Sequence, residues 1–185
     1  MLAASRRAFA TQGFSGATMR GIAAEAGLTA MALYNYAPSK AALFEAVWRD
    51  SVDSIYADYE DVVAGGESLL EEIEMLLDRS RDVLHDDPDH IRFVLRMLTE
   101  REHVGLEGVN FEVERATAFF AQLADRGVKR GEIRAADREL LVSYITTLLW
   151  GITTLAAFQP ETLDQVVEAS KWAVRRHLLA ATLPG

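Results

Sequence analysis

The densest group of side chains able to do chemistry is His85-Asp86-Asp87-Pro88-Asp89-His90, which sets two imidazoles beside three carboxylates. These are ligand types for zinc or a harder divalent cation. The spacing argues against a metal. An aspartate followed by a proline is a helix cap followed by a first turn, so Asp87 is engaged with backbone N–H groups and its neighbours splay around a helix break. The stretch reads as a charged turn. His103 and His177 stand alone, and no serine, histidine and carboxylate fall into a triad pattern. No glycine-rich phosphate loop follows a strand. The absence of cysteine removes thiol catalysis, disulfides and cysteine zinc sites. These residues imply no enzyme, no metal site and no cofactor.

A second constellation binds rather than reacts. Residues 18–36 read as two short helices joined by a tight turn, with Thr18 and Thr29 as caps. Ile22, Ala23 and Leu33 face inward. Gly27 supplies the permissive backbone where the helices meet steeply, and Ala23 is small where the second helix approaches. Arg6, Arg7, Arg20 and Lys40 flank the unit with phosphate-seeking charge.

The elements that must carry this unit are all helical, and no alternating strand pattern is present. A first helix is expected from about Leu2 to Gln12, stopped at Gly13. Ser39 caps a long helix to about Val63, closed by Gly65-Gly66. Further helices are expected over about Ser68–His85, from Asp87-Pro88 to about Glu102, from about Leu106 to Arg126 ending at Gly127, from Asp137 to Phe158, and from about Thr162 to Thr182.

Charge is split along the chain. The net charge is -9, yet residues 1–50 hold five basic side chains against three acidic ones, and residues 51–185 hold 14 against 25. Phosphate attraction is local, over a Debye length of roughly 10 Å, so a basic head on an acidic body is compatible with nucleic acid. Half of the residues are hydrophobic, enough for a sizeable core.

Phe9-Ala10-Thr11-Gln12-Gly13-Phe14, Thr18 through Thr29, Leu33-Tyr34-Asn35-Tyr36 and Ser39-Lys40-Ala41-Ala42-Leu43 together resemble the TetR family of repressors over about residues 2–47. The resemblance implies an all-α protein of about nine helices. A three-helix helix-turn-helix head (1–47) would be joined by a long fourth helix to an effector-binding and dimerisation bundle (48–185). It implies a ligand-responsive regulator, most simply a repressor, that binds a near-palindromic operator as a homodimer in the cytoplasm. By position, Thr18 and Arg20 would touch phosphate or a base edge. Thr29, Ala30 and Met31 would begin the recognition helix, Tyr34, Asn35 and Tyr36 would end it, and Lys40 would meet a phosphate. The chain departs from a typical reader in its recognition helix. Ala30-Met31-Ala32 offers no arginine, lysine or glutamine for bidentate base contacts, so readout would rest on thymine methyls, Asn35, Arg20 and DNA shape. The alternative is a helical small-molecule binder whose head has lost operator affinity.

Leu140 to Pro160 contains no charged residue and is long enough to span a membrane. Ser143, Thr146, Thr147, Thr153, Thr154 and Gln159 interrupt it, and it reads instead as a buried helix of a protein with no membrane partner. In the last helix, Leu163, Val166, Val167, Ser170, Val174 and His177 form a stripe at helical spacing. The resemblance implies that this stripe is the dimer seam. Met75, Phe93, Met97, Phe111, Phe119, Tyr144 and Trp150 are candidates to line an effector pocket, with Arg79 and Arg115 to meet an anionic group. Such a cavity favours a hydrophobic or amphipathic small molecule.

Overall fold

The structure, a computed structural model, describes residues 1–104 and 109–181, with side chains left undescribed at 98, 101–104, 109–110 and 177–181. In chain order the helices are α1 (Leu2–Gly16), α2 (Met19–Glu25), α3 (Ala30–Tyr36), α4 (Lys40–Val63), α5 (Leu69–Asp86), α6 (Pro88–Val104), α7 (Val109–Lys129), α8 (Arg138–Phe158) and α9 (Leu163–Ala181). Single 3-10 turns precede α8 and α9. No strand occurs among the described residues.

Of the expected caps, Ser39 and Asp87 are made, and Ser68 adds another. The side chains of Ser39, Ser68 and Asp87 accept from the backbone N–H of Ala42 (3.1 Å), Glu71 (3.2 Å) and His90 (3.0 Å), opening α4, α5 and α6. Each satisfies one of the N–H groups that a helix start leaves without an internal partner. The other carboxylate oxygen of Asp87 accepts from Arg6 at 2.5 Å, so this aspartate is committed as a cap and an ion pair. Asp137 differs: its carboxylate is bound to Arg134 rather than to the start of α8.

Two compact units emerge. The first comprises Met1–Ser54 and Asp87–Val113, so α6 belongs with the head helices. Its core is aromatic. Phe9 from α1 meets Phe44 from α4 edge-on at 4.8 Å between ring centroids, and Phe93 from α6 lies 5.3 Å from Phe44. Edge-to-face pairs of this kind stabilise by about 1 kcal/mol each beyond their buried area. Met97 is buried on the same face of α6 as Phe93. At the far end of α1, Gly13 breaks the helix at φ +71°, where a side chain is strained. The freed N–H of Phe14 donates to Glu100 of α6 at 2.6 Å, and Glu100 also takes Arg96 at 3.1 Å.

The second unit comprises Ile55–Asp86 and Glu114–Gly185. Here Tyr56, Tyr59, Phe119 and Phe120 form the aromatic core. Burial pushes the Tyr59 hydroxyl up to about 12, so it stays neutral and shares a 3.0 Å hydrogen bond with Ser80. Glu72 of α5 is almost fully buried and is held by Arg126 (3.0 Å) and Arg130 (2.9 Å). Lys171 of α9 reaches Asp78 of α5 at 2.7 Å.

Helix α7 does not end at Gly127. The glycine is buried inside it, where an added Cβ would lie 2.6 Å from Leu69, so it permits close approach of α5 rather than termination. The stop falls at Gly131 (φ +74°), with Glu132 N–H donating to the Gly127 carbonyl and Gly131 N–H to that of Val128. This paired closure satisfies carbonyls of the last turn.

Gly13→Ala is expected to lower the free energy of unfolding by about 1–3 kcal/mol, because it combines positive φ with a Cβ 2.7 Å from the Glu100 carboxylate. Urea unfolding should show a lower midpoint at unchanged slope.

Candidate nucleic-acid interface

Helices α2 and α3 are seven residues each, shorter than isolated helices that persist in water. Their ends are therefore decisive. Thr18 accepts from Gly21 N–H at 3.0 Å and Thr29 from Ala32 N–H at 3.1 Å. Between them α2 closes at Gly27 (φ +68°), with Leu28 N–H on the Ala23 carbonyl at 2.8 Å and Gly27 N–H on that of Ala24 at 3.1 Å. Ile22, Ala23 and Leu33 are buried, and this inner face seats the two helices on each other.

The outer face is open. Met31, Ala32, Tyr34, Asn35 and Tyr36 are exposed and Ala30 is half-buried. Opposite Leu33 on the helical wheel stand Met31 and Asn35, one turn apart. Arg20, in the first turn of α2, is also exposed. The two capping hydroxyls accept from the backbone, and their own hydrogens stay free to donate.

The basic side chains of the head do not share one role. Arg6 is bound to Asp87, Arg7 to Glu25 at 2.7 Å, and Arg49 to Glu45 at 3.0 Å while its guanidinium covers Phe111 at 4.6 Å. Lys40 donates to the carbonyl of Ala17 at 2.9 Å and lies 4.5 Å from the centre of the Phe14 ring. Its ammonium thus fastens the start of α4 to the end of α1. Among the described residues 1–50, Arg20 is the basic side chain with neither a carboxylate nor a carbonyl partner. Of the four cations expected to flank the unit, Arg6 and Arg7 are engaged by carboxylates and Lys40 by a carbonyl.

The candidate pocket residues fall in different units. Phe93, Met97 and Phe111 belong to the first; Met75, Arg79, Arg115, Phe119, Tyr144 and Trp150 belong to the second. Phe93 and Met97 are core of the head unit. Arg79 holds Asp58 through two nitrogens at 2.6 and 3.0 Å, and Arg115 holds Glu60 at 2.8 Å. Within the second unit a cleft of about 360 Å³ is lined by Val63, Phe119, Gln122, Glu60, Glu72, Arg126 and Arg130, among others. Phe119 is the one expected pocket residue on its wall.

The expected seam needs correction. Leu163, Val167, Ser170 and Val174 are buried within the single chain, where α9 packs on α5 and α8, and Val166 is half-buried. The side chain of His177 lies outside the described residues. The uncovered apolar surface stands instead on α8, where Leu140 (70% exposed), Tyr144, Thr147, Gly151, Thr154 and Phe158 (73% exposed) recur at alternating spacings of four and three. On α9, Ala169 and Trp172 are exposed. The α8 spacing was visible in the sequence, hidden by a helix apolar on every side. That helix, with the turn before it, is long and apolar enough to cross a membrane by length and composition; its exposed stripe also fits a partner helix.

Residues 1–47 match the family model of bacterial regulatory proteins of the tetR family. Over 146 residues the chain is 26% identical to the HTH-type transcriptional repressor KstR2 of Rhodococcus jostii (strain RHA1), covering 77% of this chain and 71% of that protein. Its fold is similar to that of the transcriptional regulator FadR from Bacillus subtilis in complex with stearoyl-CoA, with a TM-score of 0.80 at 16% identity over 98% of this chain and 97% of that one. FadR from Bacillus halodurans is similar in fold too, with a TM-score of 0.78 at 18% identity over 96% and 92%.

Thr29→Ala is expected to lower stability by about 1 kcal/mol, the usual effect of losing such a cap. Hydrogen exchange should show the N–H groups of Ala32 and Leu33, which are bonded to the Thr29 hydroxyl and carbonyl, losing protection ahead of the rest of the head.

Proposed function

We propose that this chain, which belongs to the TetR family of bacterial regulatory proteins and is a transcriptional regulator, acts as a ligand-responsive cytoplasmic repressor that binds a near-palindromic operator as a homodimer and catalyses no reaction. The observation that carries this reading is the capped α2–α3 pair, whose inner face is buried and whose outer face leaves Met31, Asn35 and Arg20 without partners. In this reading α3 enters the major groove with its first turn on the bases. Arg20, Thr18, Thr29, Tyr34 and Tyr36 contact the backbone on either side, and Lys40 adds its charge nearby while bracing the head. A head that had lost DNA would have no need to leave a free cation beside an intact reading helix.

The second copy is seated on the uncovered stripe of α8 together with Ala169 and Trp172 of α9. A helix apolar all round suits this place, with one face in its own core and another against the partner. The effector is a hydrophobic or amphipathic small molecule. FadR from Bacillus subtilis, which has the same fold, is in complex with stearoyl-CoA, and the cleft beside Phe119 joins apolar wall to charged rim. Effector binding would favour a dimer state whose heads no longer match the operator spacing.

Selection from random duplex DNA by the purified full-length protein tests the reading. A palindromic site should be recovered, with affinity falling steeply as salt rises. Arg20→Ala should reduce the log–log salt slope by about 0.9 for each Arg20 removed from the complex. Failure of a folded dimer to enrich any site would overturn the proposal. For the seam, Gly151→Arg should yield a folded monomer by sedimentation, since space around Gly151 is open. Val167→Asp should instead compromise folding, because Val167 is fully buried within the chain.

A further inference from the structure

We infer that the recognition helix reads A·T pairs, detecting a thymine C5-methyl with Met31 and an adenine with Asn35, and that no G·C pair is read by α3. This rests on the regulator reading above and names the chemistry of its operator.

The inference starts from what stands on the outward face of α3. Met31 is 71% exposed, and Asn35 is exposed one turn later. Among the described residues, the Asn35 amide makes no hydrogen bond. Met31 lies in the first turn, the part of a recognition helix that meets base edges. One turn advances about 5.4 Å and successive base pairs are about 3.4 Å apart, so the two side chains address positions within about two base steps of each other.

Their chemistry selects the bases. An asparagine amide matches the N6 donor and N7 acceptor of adenine. A thioether on an unbranched stem has no strong donor, and its favourable contact in the major groove is apolar surface, which thymine alone supplies as its methyl group. Guanine calls for arginine or lysine, and cytosine N4 calls for a carboxylate. Helix α3 contains neither a cation nor an acid. The absence of acid also means that nothing on this face repels phosphate. Ala30 and Ala32 flank Met31 with short side chains, which lets the helix sit deep enough for a single methyl to be felt.

The test uses the full-length protein and the duplex recovered by selection. Each thymine is replaced in turn by uracil, which removes only the methyl group, and Kd is measured. At one or more steps in each half-site, affinity should fall about fourfold per methyl, the value of one buried carbon. Met31→Ala should weaken binding to the natural site and bind the thymine and uracil duplexes equally. Placing 5-methylcytosine at a step where cytosine replaces that thymine should recover part of the lost affinity in the natural protein but not in the variant. Likewise 7-deaza-adenine should weaken the natural protein and leave Asn35→Ala indifferent.

Uracil tolerated at every position would overturn the inference while leaving the regulator intact. So would uracil sensitivity that persists in Met31→Ala, or loss of affinity on 7-deazaguanine substitution at the steps facing α3. Recovery of no site at all would remove the regulator reading itself. Met31 is on the surface, so the unfolding midpoint of Met31→Ala should match that of the natural protein and separate lost readout from lost folding.

Discussion

Helices of seven residues do not persist in water, because nucleating a turn fixes several dihedral angles for each hydrogen bond gained. Helices α2 and α3 stand below that limit and survive through their ends and one buried face. Thr18, Thr29 and the closure at Gly27 satisfy backbone groups that the short helices leave open, and Ile22, Ala23 and Leu33 supply the inward contact. Since stability comes from the inside and the caps, the outward face carries no structural duty. Met31 and Asn35 are therefore exposed without holding the fold together.

The same economy governs the charges. Most basic side chains of the head are bound by acids or carbonyls within its own unit, and each such bond ties two elements or two turns together. Arg6 and Glu100 hold α1 to α6 at opposite ends, with the Phe9, Phe44 and Phe93 rings between them. A helix distant in sequence is thus part of the head unit. The ion pairs are partly exposed, so individually they stabilise little; they fasten α1 to α6 on either side of the aromatic core.

In the second unit a buried carboxylate plays the organising part. Glu72 is out of water, held by the guanidinium groups of Arg126 in the last turn of α7 and of Arg130 just after it. Removing both guanidinium groups would leave a buried charge uncompensated, which destabilises far more than a surface pair contributes. With α5 and α7 joined in this way and α9 tied to α5 through Lys171 and Asp78, α8 packs Ile145, Leu149, Ile152 and Ala156 inward and leaves the opposite stripe bare.

Much of this protein was determined by its sequence. Local chemistry placed the helices and their caps, since Thr18, Thr29, Ser39, Ser68 and Asp87 act on backbone only three residues away. Gly13 and Gly27 likewise punctuate by their own φ. The head matched a family because its motif is contiguous and its spacing is set by two short helices. What depended on contacts between distant residues was beyond local reading. By its residue type Gly127 reads as a helix stop, yet it lies inside α7 with Leu69 packed against it, and Phe93 and Met97 read as pocket wall, yet α6 buries them in the head unit. The stripe on α9 looked like a seam because periodicity shows that a face is buried and never shows what buries it. Only the tertiary structure assigned that burial to α5 and left α8 open, because which of two apolar helices is covered depends on packing across the chain rather than on either helix's own residues.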